Sequence, residues 1–197
     1  MGRWEPDARG RLAKAALELY GERGYELTTV AEIAKRAGLT ERTFFRHYTD
    51  KREVLFSGAG ELEQLFVGAV AGAPESAAPI DALARGLYAV AELFTDRRDF
   101  ARERHAVITA NAELQERELI KLASLSAALA DALRRRDVPE PTASLAAEAG
   151  VAVFKIAFER WIAAGEERVL AELTRESLAE LKAVTAGGQA AGRSSGG

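Results

Sequence analysis

The sequence predicts an all-α protein, with a small N-terminal domain of three helices followed by a larger helical bundle. Helix-forming Ala, Leu, Glu and Arg recur along the 197 residues, and only five prolines interrupt them. No stretch alternates apolar and polar residues for long enough to predict a sheet. Hydrophobic residues make up 48% and charged residues 29% of the chain, which is sufficient apolar material for a packed core.

Nine helices are expected, and local signals mark the ends of several. Gly24 follows the first helix, where glycine adopts left-handed backbone without strain, and Gly38 lies in a tight turn after the second. Thr29 precedes Glu32 by three residues, the spacing of a capping box, and Thr40 is the expected N-cap of the third helix. Besides the short second helix after Thr29, the predicted helices span 7–23, 40–48, 51–70, 80–95, 97–111, 112–136, 141–164 and 166–186.

Composition and charge divide the chain into domains. The predicted domains are 1–55 and 56–186, and the low-complexity tail GGQAAGRSSGG at 187–197 is expected to be disordered. Residues 1–55 hold 11 Lys/Arg and 9 Asp/Glu, a net charge of +2, whereas residues 56–197 hold 16 and 21, a net charge of −5. A positive N-terminal end on an acidic chain favours contact with a polyanion at that end.

Composition also argues against several classes of function. The chain has no cysteine, so it can form neither a disulfide nor a thiolate metal site. Its two histidines are far apart and no nucleophile–base pair is recognisable, so we expect no catalytic residue, metal, cofactor or enzyme activity. No uninterrupted apolar run approaches the about 20 residues that cross a bilayer, and the start lacks an apolar signal core. We therefore expect a cytoplasmic protein without membrane contact.

The most informative segment lies between Thr28 and Lys51. It predicts two short helices joined by a glycine-containing turn, which is the arrangement of a helix-turn-helix. Successive residues are about 100° apart around a helix axis, so on the third helix Phe44 and Tyr48 face inward together. The same spacing directs Arg42, Thr43 and Arg46 outward, with Phe45 and His47 on the flanks. Such a face has the donors that guanine edges and phosphates accept in a major groove.

This segment resembles the DNA-binding domain of the TetR family of transcriptional regulators. The matching residues are Gly24-Tyr25, Thr28-Thr29, Ile33-Ala34, Ala37-Gly38-Leu39-Thr40, Phe44-Phe45-Arg46-His47-Tyr48 and Lys51. The resemblance implies a homodimer that binds a near-palindromic double-stranded DNA operator, usually as a repressor that a small molecule releases. Two copies of the third helix would then enter major grooves about 34–36 Å apart.

The resemblance also assigns roles within the motif. Arg42 and Thr43 would read bases, with Arg46 on the same outward face. Phe45 stands where the family commonly has a tyrosine that contacts a phosphate, and a phenyl ring offers only apolar contact there. Lys51 would sit at a helix N-terminus, whose free amides can bind an anion. The expected phosphate contacts are Thr28 or Thr29, Thr40, His47 and Lys51.

The larger domain carries an aromatic stripe, because Phe154, Phe158 and Trp161 lie at i, i+4 and i+7 on one helix. In the resembled family the last two helices pair with those of a second subunit. The stripe is therefore either dimer interface or internal core and pocket wall, and both interpretations stay open. The residues available for such an interface are Val151, Phe154, Phe158, Ile162, Leu170, Leu173, Leu178 and Leu181.

A ligand pocket is expected among polar and aromatic side chains that lie on apolar helices. Asn111, just before a new helix, is instead a predicted cap, and Arg134–Arg136 are expected to complement a helix C-terminus. The pocket candidates are Tyr88, Arg104, His105, Thr109, Phe154, Phe158 and Trp161.

Residues 101–136 and 146–161 resemble the C-terminal domain of mycofactocin-associated TetR-like regulators. That resemblance implies an effector that is acyl-CoA-like or otherwise apolar and partly anionic, which Arg104 and His105 would help to bind. One alternative for the whole protein is a helical protein-interaction module without DNA binding. That module would show no salt-dependent association with duplex DNA.

Overall fold

The computed structural model describes residues 8–186, and within that range all regular structure is helical. The prediction of an all-α fold is confirmed, and the predicted disordered tail at 187–197 lies outside the described residues. In chain order the helices are α1 Ala8–Arg23, α2 Val30–Arg36, α3 Glu41–His47, a 3-10 helix Glu53–Phe56, α4 Ala59–Ala71, α5 Pro79–Leu93, α6 Arg98–Thr109, α7 Ala112–Arg134, α8 Thr142–Ile162 and α9 Leu170–Ala186.

The single helix predicted at 51–70 is wrong in its first part. The chain forms the 3-10 helix, turns at Ser57 and Gly58, and only then begins α4. Val54, Leu55 and Phe56 are consecutive and all buried. An amphipathic α-helix buries one face and would leave at least one of three consecutive residues outside, so the tighter 3-10 turn serves this packing better.

The described residues form two compact units. The N-terminal unit comprises the chain up to Glu61 together with Asp99–Lys121, and the C-terminal unit comprises Leu62–Arg98 and the chain from Leu122. The division expected at residue 55 assigned α6 and the first half of α7 to the larger domain. In the structure these two segments belong to the same unit as α1, α2 and α3.

The centre of the N-terminal unit is α1. Its Leu12 and Leu19 are buried in one cluster with Ile33 of α2 and Phe44 of α3. Ile108 of α6 lies in the same cluster. Because α2 and α3 each turn one face to this core, their other faces are left exposed to solvent.

The core of the C-terminal unit depends on a close approach between α4 and α5. Phe66 is fully buried and lies against Gly86, where a Cβ atom would stand only 2.1 Å from Phe66 Cδ2. Leu83 packs in the same way against Gly150 of α8. Only glycine at position 86 leaves room for the Phe66 ring in its present place.

Most of the apolar stripe proposed as a dimer interface is packed within the subunit. Leu173 of α9 is 0% exposed. Phe154, Phe158 and Leu181 are half-buried. Five further members of the stripe are buried or belong to the core: Val151, Trp161, Ile162, Leu170 and Leu178.

One stretch of the described chain, Glu53–Ala71, has the length and mean hydropathy of a membrane-crossing helix, at 1.2. These properties are weak evidence, because core helices of soluble proteins share them. The turn at Ser57 and Gly58 divides this stretch, and its Phe66 and Val70 are buried inside the protein.

Candidate nucleic-acid interface

Both helices of the helix-turn-helix begin at a threonine cap. The Thr29 hydroxyl accepts from the Glu32 amide at 3.3 Å, and the Glu32 carboxylate accepts from the Thr29 amide at 2.9 Å. This completes the predicted capping box. The Thr40 hydroxyl accepts from the Thr43 amide at 3.2 Å and starts α3. Gly38, with a φ of 68°, makes the turn between the two helices.

The inner face of α3 is fixed to the core by two aromatic residues. Phe44 is fully buried, and Tyr48 is buried with its hydroxyl donating to the Arg9 carbonyl oxygen at 3.1 Å. The opposite side of α3 exposes Arg42 and Arg46 to solvent. The helix therefore presents two guanidinium groups on one outward face, as its residue spacing predicts.

Polar groups flank these arginines at both ends of α3. The Thr40 and Thr43 hydroxyl oxygens lie 3.0 Å apart at its start. Arg46 Nη2 and His47 Nε2 lie 3.5 Å apart at its end. The predicted contact residues of α3 are thus together on one short helix, with Phe45 beside them.

Thr28 does not share this surface. Its side chain is buried, with 1% of the residue exposed, and its hydroxyl donates to the Gly24 carbonyl oxygen at 2.8 Å. The hydroxyl stabilises the turn after α1, where the backbone has a φ of 89° at Gly24. Of the two threonines expected to hold a phosphate, only Thr29 lies at the surface.

Lys51 is also occupied inside the N-terminal unit. Its ammonium donates to the carbonyl oxygens of Tyr25 at 2.9 Å, Thr28 at 3.2 Å and Glu26 at 3.3 Å, and it lies 4.2 Å from the centre of the Tyr25 ring. These contacts close the loop between α1 and α2. Three carbonyl acceptors match the three donors of an ammonium group, so Lys51 has a structural role here.

The helix N-terminus expected beside Lys51 is filled by a side chain of this protein. The Asp50 carboxylate accepts from the amides of Arg52 at 2.8 Å and Glu53 at 3.2 Å. The hydrogen bond from the Arg52 guanidinium, together with these two amide hydrogen bonds, holds the pKa of Asp50 below its usual value. The expectation of free amides for an external anion at this point is therefore wrong.

The cations of the N-terminal unit differ in whether they are paired. Arg36 on α2 forms ion pairs with Glu22 at 2.8 Å and Glu18 at 3.4 Å. Arg42 and Lys35, by contrast, have no acidic partner within residues 8–186. Lys35 was not among the predicted contacts, although its place after the buried pair Ile33-Ala34 puts it on the outer side of α2. Unpaired cations are the ones available to a polyanion.

Three of the predicted ligand-pocket residues, Arg104, His105 and Thr109, lie on α6 in the N-terminal unit. Arg104 contacts both the backbone and other side chains. Its guanidinium donates to the Leu55 carbonyl oxygen at 2.7 Å and to the Glu118 carboxylate at 3.2 Å, and it stacks on the Phe56 ring. Burial lowers the pKa of Arg104, and the neighbouring Glu118 opposes that shift. Arg104 is thus engaged in packing.

The other two polar candidates on α6 are near its end. Thr109 is exposed, and its hydroxyl donates back to the His105 carbonyl oxygen at 2.9 Å. His105 is half-buried. The Asn111 amide donates to the Val107 carbonyl oxygen at 2.6 Å, so its side chain caps the end of α6 and not the start of α7.

The remaining pocket candidates belong to the C-terminal unit, where an aromatic cluster forms around a residue that the prediction omitted. Phe94, at the end of α5, lies 5.5 Å from Phe158, 5.8 Å from Trp161 and 6.2 Å from Phe154, measured between ring centres. Tyr88 lies under the Arg175 guanidinium at 5.9 Å. Phe94 is the residue directly after the last one of α5, and an aromatic side chain at the end of an apolar helix was the available signal.

The arginines at the end of α7 were expected to complement a helix C-terminus, and Arg136 does so. Arg136 donates to the carbonyl oxygens of Ala73 at 2.6 Å and Pro74 at 2.5 Å, just beyond the C-terminus of α4. Arg134 is paired with Asp131 and Glu140. These contacts explain both side chains without a nucleic acid.

A helix-turn-helix joined to a helical bundle is also what comparison with known proteins finds. Residues 12–57 match the family described as bacterial regulatory proteins, tetR family, and residues 77–186 match the MftR C-terminal domain. The chain belongs to the TetR family, which is a family of transcriptional regulators.

Individual relatives agree with this assignment. The HTH-type transcriptional regulator TcmR of Streptomyces glaucescens is 37% identical over 82 residues, which are 42% of this chain and 36% of TcmR. The chain spans about a third of the length of the curated relatives that it matches.

Solved structures share the fold over nearly the whole chain. FadR of Bacillus subtilis, in complex with stearoyl-CoA, has a TM-score of 0.59 at 21% identity, covering 87% of this chain and 96% of FadR. FadR of Thermus thermophilus, in complex with lauroyl-CoA, has a TM-score of 0.55 at 24% identity, covering 96% and 99%. At these identities the likeness concerns the fold alone.

Proposed function

We propose that this protein is a ligand-responsive, DNA-binding transcriptional regulator of the cytoplasm that represses its targets. The observation that carries the proposal is the outer face of α3, where Arg42 and Arg46 are exposed on a helix anchored by Phe44 and Tyr48. A rigid helix that presents guanidinium groups suits the major groove, where arginine donates to guanine O6 and N7. The Thr40, Thr43 and His47 side chains supply further donors for phosphates. The Thr29 hydroxyl already donates to the Glu32 carboxylate at 2.8 Å.

A homodimer is part of this proposal, with a surface that differs from the predicted stripe. On α8, Leu145, Ala152 and Ile156 are exposed and lie within one narrow face, since they are seven and four residues apart. Val184 near the end of α9 is exposed as well. Two subunits joined by such faces would present two copies of α3 to a near-palindromic operator.

For the effector we propose a molecule with an apolar chain, such as an acyl-CoA. Phe94, Phe154 and Phe158 are half-buried and packed against each other by ring contacts, with Trp161 behind them. Aromatic side chains that are only half-buried offer the apolar surface that suits an acyl chain. The two FadR proteins of this fold were solved with acyl-CoA molecules bound.

DNA binding is tested by selection. Fragments of genomic DNA retained by the full-length protein at low salt are sequenced, and the enriched duplex is titrated at increasing salt. A near-palindromic motif bound with a steep salt dependence supports the proposal. No retention of duplex DNA at low salt supports the helical protein-interaction module instead, and retention of fragments without any shared motif would contradict a sequence-specific regulator.

The effector proposal has its own test on the selected duplex. Lauroyl-CoA and coenzyme A are compared at equal concentration, because they share the nucleotide and differ in the acyl chain. Release of the duplex by lauroyl-CoA alone is the expected result. Equal release by both compounds, or by neither, would remove the acyl chain from the proposal.

A further inference from the structure

Phe45 is an exposed aromatic residue on one flank of the proposed recognition surface. Its residue exposure is 56%, although Phe44 beside it is completely buried. The two rings meet edge to face, with centres 5.4 Å apart and planes at 80°. That contact positions the Phe45 ring but leaves more than half of the residue to solvent, which is costly for an apolar group unless something covers it.

The position of Phe45 on α3 places it directly beside Arg42. The two residues are three apart, so they are neighbours on the helix surface and about 4.5 Å apart along its axis. Base pairs in DNA succeed each other about every 3.4 Å. Side chains one turn apart on a helix in the major groove therefore reach adjacent or next-adjacent base pairs.

The two sides of the α3 surface differ in chemistry. Thr43 and His47, on one flank of the arginines, offer hydrogen-bonding groups. Phe45, on the other flank, offers carbon only and cannot hold a phosphate oxygen by a hydrogen bond. In the major groove the one apolar group on a base edge is the 5-methyl group of thymine.

We propose that Phe45 is a specificity-determining residue that contacts the 5-methyl group of a thymine next to the base read by Arg42. This inference rests on the proposed DNA-binding function and adds one base position to each half-site. It predicts an asymmetric half-site, with a guanine opposite Arg42 and a thymine on the Phe45 side.

The test replaces thymine by deoxyuridine, which removes the methyl group and keeps every hydrogen-bonding atom. Each thymine of one half-site in the selected duplex is replaced in turn, and affinity is measured for the wild type and for Phe45→Ala. At one position we expect deoxyuridine to weaken wild-type binding about fourfold, the effect of one buried methyl-sized group. Phe45→Ala should bind thymine and deoxyuridine duplexes equally at that position.

Phe45→Leu serves as the matched control, because it keeps an apolar side chain and should retain a preference for thymine. The inference is overturned if no deoxyuridine substitution weakens wild-type binding, or if Phe45→Ala retains the full preference. It is also overturned if Phe45→Ala weakens binding to all duplexes equally, as a contact to the sugar–phosphate backbone would. Failure of the selection to yield any shared motif would instead refute sequence-specific DNA binding itself, so the two failures are distinguishable.

Discussion

The guanidinium of Arg104 on α6 donates to the main-chain carbonyl oxygen of Leu55, in the 3-10 helix that follows α3, at a distance of 2.7 Å. Glu53, in the same 3-10 helix, forms ion pairs with Arg117 and Lys121 of α7. These contacts, and the shared core, make α6 and the first half of α7 part of the N-terminal unit. The helix-turn-helix is thus supported by more than the three helices that its sequence motif contains.

Replacing Arg104 tests this support. Arg104→Ala removes the hydrogen bonds of a half-buried guanidinium and leaves the Leu55 carbonyl oxygen without that donor. We expect the free energy of unfolding to fall by about 1.5–3 kcal/mol in chemical denaturation. Glu103→Ala on the exposed side of α6 is the control and should change it by less than about 0.5 kcal/mol. Equal effects of the two variants would contradict a supporting role for Arg104.

The ionisation of Glu53 is expected to make the stability of the N-terminal unit depend on pH. The Arg117 hydrogen bond and the Lys121 and Arg117 charges lower the pKa of Glu53 below its usual value. The unfolded chain therefore binds a proton at a higher pH than the folded chain. The stabilisation is complete above the unfolded pKa and is lost as the pH falls through the folded one.

The measurement is the denaturation midpoint of wild type and Glu53→Gln at pH 7 and pH 3. Glu53→Gln should be less stable at pH 7, and the difference between the proteins should shrink at pH 3. Glu103→Gln, at an exposed position on α6, is the control. A difference for Glu53→Gln that stays constant between the two pH values would show that the charge of Glu53 contributes nothing.

Replacing Gly86 is expected to destabilise the C-terminal unit. In Gly86→Ala the new methyl group would stand 2.1 Å from Phe66 Cδ2, so the fully buried Phe66 ring must move. Overpacking of this kind costs about 1–3 kcal/mol, which thermal denaturation would detect. Gly68→Ala is a matched control on α4, because a Cβ there meets nothing within 4 Å. Similar melting temperatures for the Gly86 variant and the wild type would contradict this packing.

Replacing Lys51 tests whether this lysine has a structural role or contacts a phosphate. Lys51→Met removes three hydrogen bonds to carbonyl oxygens, so the protein should lose about 1–3 kcal/mol of stability. The salt dependence of binding to a selected duplex should keep its slope. Arg46→Met, as a comparison at an exposed cation, should lower that slope by about 1. A reduced slope for Lys51→Met would return Lys51 to the DNA-contacting surface.

The local features of the N-terminal unit could be predicted because they depend on neighbouring residues. The capping box of Thr29 with Glu32 and the N-cap at Thr40 follow from side chains three residues from the amides that they bind. The buried Phe44 and the exposed Arg42 follow from helical spacing alone. The predicted starts of α2 and α3, which depend on these caps, agree with the structure.

Several features of the structure depend on distant parts of the chain. Lys51 binds carbonyl groups 23 to 26 residues away, which no local pattern reveals. The inclusion of α6 in the N-terminal unit likewise depends on Arg104 and Leu55, 49 residues apart. The break before α4 did have a signal, since Val54, Leu55 and Phe56 are three consecutive apolar residues after an Asp50 that can cap a turn.

The most direct test of the central claim, that the outer face of α3 reads DNA, is parallel binding-site selection with wild-type protein and Arg42→Ala. We expect the wild type to enrich a near-palindromic motif. The variant should fold normally and lose about 1–3 kcal/mol of discrimination at one base pair in each half-site, while it keeps the rest of the motif. An identical motif from both proteins, with the same preference at every position, would contradict the claim.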